Sequence, residues 1–201
     1  MLNAGLSTLI HLKSRILPAA AATETTWDAA LGKLGLAIAA RMEAACNRKY
    51  ERTVGAVDTF SAWTLGVTLK RYPVETITTV QVRDSAGLLA ATTDYTLDAD
   101  AGMLSFGTVP GTRDERLVIT YTGGFWLDPL TGATLPAGAT ALPDDLLELW
   151  LAEVQAHAEA RGLFGALGLR PQKDADKAKL LTGLSENMIS GLAPYRRFAG
   201  E

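Results

Sequence analysis

The spacing of apolar residues changes twice along this chain, and no single type of secondary structure satisfies both patterns. Between residues 27 and 46, Trp27, Leu31, Leu34, Ile38, Met42 and Cys46 recur every three or four positions. That is one stripe of an amphipathic helix, about five turns long. Thr25, with Asp28 three residues later, resembles a capping box at its start, although Glu is the usual partner. From about residue 53 the period becomes two. Leu65, Val67 and Leu69 alternate with Gly66, Thr68 and Lys70, and Leu117, Ile119 and Tyr121 form a similar run. Asp98-Ala99-Asp100-Ala101-Gly102 lies between Tyr95/Leu97 and Leu104/Phe106 and reads as a hairpin turn. These are half-buried antiparallel strands. From Pro143 the helical period returns with Leu146, Leu147, Trp150, Leu151, Val154 and Ala158, running to about Arg161.

The expected fold class is α+β: a helical bundle of long packed helices, an inserted small antiparallel β-domain and an extended C-terminal tail. Residues 1–52 form the N-terminal helices of the core and 53–125 the β-insertion. Residues 126–142 form a long loop, 143–165 a core helix and 166–201 a tail for partner docking. A first short helix is expected over Leu6–Leu17, with Ser7 as N-cap and Pro18 as its stop. Arg41, Arg48, Lys49 and Arg52 gather near the C-terminal end of the second helix, where cations complement its dipole. A short helical piece is expected near Asp174–Leu181.

Composition narrows the function classes. Apolar residues make up 48% of the 201 positions and charged residues 20%, a mix suited to a packed core and not to a disordered chain. The formal net charge is −3, which provides no global basic field to hold nucleic acid. One cysteine, Cys46, permits no intrachain disulfide. No apolar run reaches the roughly 18 residues of a membrane span, and no positive region precedes the first apolar stretch, so neither a transmembrane helix nor a signal peptide is expected.

Catalytic chemistry finds little support. The chain has two histidines, His11 and His157. His157 and Glu153 are four residues apart and could share a metal, but no third ligand follows by spacing. His157 therefore reads as an ordinary helix-surface or interface residue, and Cys46 as a small buried hydrophobe. No phosphate-cradling glycine motif or nucleophile elbow occurs, and the Asp98–Gly102 turn lacks the remaining ligands of a calcium loop. No catalytic, metal-binding or cofactor-binding residues are assigned, and no cofactor is expected.

Two segments look interactive. Near the C-terminus, Tyr195 and Phe198 bracket Arg196 and Arg197, residue types enriched at interfaces. The four are candidates for docking to a partner or a neighbouring subunit. The helix from residue 143 carries Asp144, Asp145, Glu148 and Glu153, which offer dipole complement and, as the sharper reading, an acidic wall that repels DNA.

The order of the segments resembles the head–tail connector, or adaptor, proteins of long-tailed bacteriophages. An N-terminal helix carries Leu9-Ile10-His11-Leu12, and a long helix leads to Cys46-Asn47-Arg48-Lys49-Tyr50. Tyr72-Pro73-Val74 then runs on to Ile77 and Val80, and Tyr95-Thr96-Leu97 is followed by Gly102-Met103-Leu104. Val118–Phe125 precedes Leu142-Pro143-Asp144-Asp145-Leu146 at the head of a helix ending in Ala158-Glu159-Ala160-Arg161-Gly162. The resemblance covers residues 6–165 and implies a structural subunit without catalytic residues. It implies a ring of twelve copies below the portal, extending the DNA channel and receiving a stopper or tail-side protein. The expected partners are other copies of the chain, the portal, the tail-side protein and duplex DNA passing without specific binding, with no membrane. The expected location is the virion neck, assembled in the host cytoplasm. In such a ring Tyr195, Arg196, Arg197 and Phe198 would dock, and Asp144, Asp145, Glu148 and Glu153 would face the channel. Rival readings are another neck component, such as a stopper or tail-completion protein, a β-rich binding module, and an enzyme with an unrecognised site.

Overall fold

A computed structural model describes residues 5–17, 25–127, 134–161 and 183–196. The chain divides into two compact units. One gathers the chain up to Cys46 with residues 142–196, and the other gathers Asn47–Trp126 with residues 135–141.

The first unit is helical: α1 is Leu9–Ile16, α2 Asp28–Cys46, α3 Asp144–Ala160 and α4 Glu186–Gly191, with a 3₁₀ turn at Ala193–Tyr195. The α+β class holds, but a bundle of long packed helices does not form. Among the described residues only α2 and α3 are long, at 19 and 17 residues, while α1 has eight and α4 six. The terminal apolar runs are too short to extend further, and Leu17 leaves α1 in an extended conformation ahead of Pro18. Thr8, not Ser7, caps α1, its hydroxyl accepting from His11 N at 3.3 Å. Ser7 instead bonds the His11 ring at 2.9 Å. The capping box expected at Thr25 is also absent, because Asp28 turns to the buried Lys13 at 2.6 Å.

Leu31, Leu34, Ile38, Met42 and Cys46 of α2 are all buried, as the stripe requires. On α3, Leu146, Trp150, Leu151, Val154 and Ala158 are buried as well. Trp150 locks the seam, its indole N–H donating to Gly35 O at 3.1 Å. Gly5, at φ +122°, crosses the same spot. A Cβ there would stand 2.7 Å from Gly35 O and 3.0 Å from the Trp150 ring, so only glycine fits.

Among the described residues the second unit holds nine strands. Antiparallel β1 (Thr53–Ser61), β7 (Arg116–Gly123), β3 (Val74–Arg83) and β4 (Leu89–Ala91) lie in that order. A second antiparallel sheet has the order β2 (Gly66–Thr68), β6 (Met103–Phe106), β5 (Tyr95–Asp98). The expected turn joins β5 to β6, with Asp98 Oδ1 accepting from Ala101 N at 3.1 Å. Leu69, Val80, Leu104, Phe106, Leu117, Ile119 and Tyr121 form the core between the sheets. Two-residue strands lie at the two ends of the segment expected to be a loop from 126 to 142. Phe125–Trp126 (β8) pairs in parallel with Thr140–Ala141 (β9).

Arg48 belongs to this second unit and is not a cation at the end of α2, whose last turn has no basic residue. It is buried over the Tyr72 ring at 3.5 Å, within 5.1 Å of the Tyr50 and Phe125 rings, and donates to Tyr72 O. Asp58 is the other buried polar centre. Its Oδ2 accepts from Tyr121 Oη at 2.7 Å and from Lys70 N at 2.8 Å, while Tyr121 Oη accepts from Arg71 N at 3.0 Å. Burial and then the bond to Asp58 push the Tyr121 phenol well above its ordinary range, so it stays a donor. Tyr121→Phe removes the bond to a buried carboxylate and should destabilise the β-unit by about 2 kcal/mol. Urea unfolding followed by β-sheet circular dichroism measures this.

Candidate docking surface

Two elements build this surface, the start of α3 and the segment from Gly183 to Arg196. Pro143 precedes α3 as its N-cap residue, in an extended conformation that offers no side-chain cap. Asp144 and Asp145 occupy the first turn and complement the exposed N–H groups there. Asp145 Oδ1 accepts from Leu146 N at 2.9 Å. Asp144, Asp145 and Glu148 are exposed. Glu148 pairs with Arg15 of α1 at 2.5 Å, with both side chains about half exposed. An exposed pair of this kind contributes roughly 0–1 kcal/mol.

Glu153 departs from the expected acidic wall. It is 3% exposed and faces the interior of the helical unit, so it cannot belong to a solvent-facing strip with the other three. Five residues beyond Glu148, helical rotation carries it round to the packed side. Its carboxylate accepts from Ser185 N at 2.8 Å and Ser185 Oγ at 2.6 Å. His157 is also fully buried and is no surface histidine. Its Nε2 stands 3.4 Å from Glu153 Oε1, within electrostatic reach but not aligned as a hydrogen bond. Burial pushes the Glu153 carboxyl up, but the His157 ring and the two Ser185 bonds outweigh it, and the net shift is downward from 4.5. Among the described residues no group of three or more His, Cys, Asp or Glu gathers as a metal site.

Ser185 has a second task, capping α4 by accepting from Met188 N at 3.1 Å. Met188 and Leu192 are buried, and Gly191 lies against the Leu149 side chain. Arg41 donates to Gly183 O at 3.3 Å. Tyr195 Oη donates to Asp145 at 2.6 Å, and Arg196, exposed, donates to Ile189 O at 3.3 Å. The C-terminal segment is therefore a strap held on the helical unit. Two features that the sequence keeps apart, the acidic start of α3 and the Tyr195-Arg196 pair, meet in one surface. Arg197, Phe198 and the piece near Asp174–Leu181 lie outside the described residues. The Glu153–Ser185 latch was missed by sequence reasoning, because nothing in the sequence couples residues 32 positions apart.

The fold has solved counterparts, although no known family profile and no curated protein matches the chain. It is similar to a chain of the virion of a native gene transfer agent (GTA) particle, with a TM-score of 0.59 and 16% identity. It is similar to a chain in the neck of an empty GTA particle computed with C6 symmetry, at 0.58 and 17%. A chain in the neck of a native GTA particle computed with C12 symmetry gives 0.51 and 15%. Each comparison covers all of this chain and 94% of the other. At such identities the likeness shows a shared fold.

Because the folded-state pKa of Glu153 is depressed, its stabilising contribution is fully present above about pH 4.5 and is lost as the pH falls through the lower folded value. Glu153→Gln should weaken the strap by about 2 kcal/mol, removing charge-assisted bonds to Ser185. It should also flatten the acid limb of stability. Hydrogen exchange at Met188–Leu192 across that pH range measures both effects.

Proposed function

We propose that this protein is a structural head–tail connector, a ring subunit of a virion neck that joins a capsid portal to a tail. The observation that carries the reading is full-length structural similarity to chains of GTA particles, two of them in necks computed with C6 and C12 symmetry. The order of sequence segments over residues 6–165, which rests on residue types and not on coordinates, points to the same class. In this reading twelve copies form a ring that extends the DNA channel, receives a stopper or tail-side protein, and works through surfaces.

The strap has the composition of a docking element, with half-buried Tyr195 and exposed Arg196 near its end. Tyr195 is already oriented by Asp145, which lowers the entropy lost on docking. Arg197 and Phe198 follow in the sequence and, in this reading, belong to the same docking element. The exposed carboxylates of α3 have two uses in a ring: lining the channel, where they would repel duplex DNA, or meeting a neighbouring subunit.

Imaging the purified protein mixed with its portal tests the reading. A closed ring on the portal is the expected result, and a monomer that never binds the portal would reject it. The double variant Tyr195→Ala, Arg196→Ala should fold normally and lower the yield of tailed particles, whereas an unchanged yield removes the strap from docking.

A further inference from the structure

The four-stranded sheet gives the β-unit two distinct ends. Its chain enters at Asn47 and leaves at Trp126, and β1 and β3 begin beside the end of β7, where Thr53 and Val74 both pair with Gly123. The opposite end carries the β1–β2 connection, the β3–β4 hairpin and the β6–β7 loop. Across it, Ser61, Arg116, Arg83 and Leu89 sit side by side on one face of the four-stranded sheet, a row about 14 Å wide.

Arg83 and Arg116 are direct cross-strand partners, both exposed. Like charges placed opposite one another destabilise a sheet. Neither guanidinium has a carboxylate partner among the described residues. The nearby Asp84 and Glu115 are engaged in their own loops, by Leu88 N at 2.8 Å and by Thr112 N at 2.6 Å. Asp84, Asp114 and Glu115 balance three arginines in number, but none of them pairs with Arg83 or Arg116 among the described residues. The third, Arg113, lies 5.8 Å from the ring centre of Trp63, which is 54% exposed. Leu88 on the hairpin is 70% exposed and Leu89 45%. Arginines flanked by an exposed Trp at one edge of the sheet and exposed leucines at the other have the residue types of an interface, and such apolar exposure favours a protein partner over a nucleic acid.

We infer that this end docks onto the start of α3 of a neighbouring copy, with Arg83 and Arg116 meeting that copy's Asp144 and Glu148. The inference rests on the ring reading, since a closed ring requires two dissimilar surfaces on each subunit. Spacing supports the match. Cross-strand side chains stand about 5 Å apart at Cβ, and helix positions four apart about 6 Å, so two guanidiniums can face two carboxylates in parallel. Asp144 and Glu148 are exposed on one helix face. Glu148 uses only Oε1 for Arg15, leaving Oε2 for a second cation. These two carboxylates are thereby assigned to the subunit boundary, not to the channel.

Charge reversal in the full chain, read by sedimentation velocity, tests the pairing. Wild type should self-associate in a salt-sensitive way. R83E/R116E and D144K/E148K should each weaken association about tenfold or more, and an equimolar mixture of the two should regain it. All four positions are exposed, and D144K/E148K leaves the Asp145–Tyr195 bond in place. Wild-type association by R83E/R116E, no gain on mixing, or a wild type that stays monomeric would overturn the pairing. The ring reading is judged separately by imaging on the portal. A ring that R83E/R116E forms as well as wild type leaves that reading standing and removes this contact.

Discussion

The seam between α2 and α3, closed by the Trp150 indole on Gly35 O, is the constraint on which the helical unit depends. Trp150 is fully buried, and its N–H would be an unpaired donor without that carbonyl. Close approach at this point is what admits only glycine at position 5. Once α3 is fixed in rotation, Leu146, Val154 and His157 face inward, and Asp144 and Glu148 face outward. Glu153 then falls on the packed side, where the strap reaches it.

That placement changes the meaning of the acidic helix. A buried carboxylate is costly unless it is bonded. Ser185 supplies two bonds while capping α4, so one residue satisfies the carboxylate and starts the last helix. Tyr195 closes the other end on Asp145. The strap is consequently held on the helical unit at both of its ends.

The β-unit is built on a different principle. Its central strand β7 is flanked by strands far from it in sequence, and Tyr121 on that strand reaches Asp58 on β1. The core face is apolar and the buried polar atoms at Asp58 are bonded. At the end of the sheet away from Gly123, Arg83 and Arg116 stand side by side and, among the described residues, form no ion pair.

Much of the fold could be read from periodicity. The stripe Leu31–Cys46 and the alternation Leu117–Tyr121 record directly which side of an element leaves water, because helix and strand geometry map spacing onto faces. The Asp98–Gly102 turn was legible for a similar reason, since its residue types suit a tight reversal. Positions whose partners are remote were not legible. Arg48 looked like a helix-end cation, yet three aromatic rings, contributed by Tyr50, Tyr72 and Phe125, enclose it. Glu153 looked like its acidic neighbours until the strap folded over it. The amino-acid order dictated the elements and their apolar faces, because those depend on neighbours within a few residues. Which charges are buried, paired or left to face another molecule was decided only when the chain folded, because that depends on which distant segments meet.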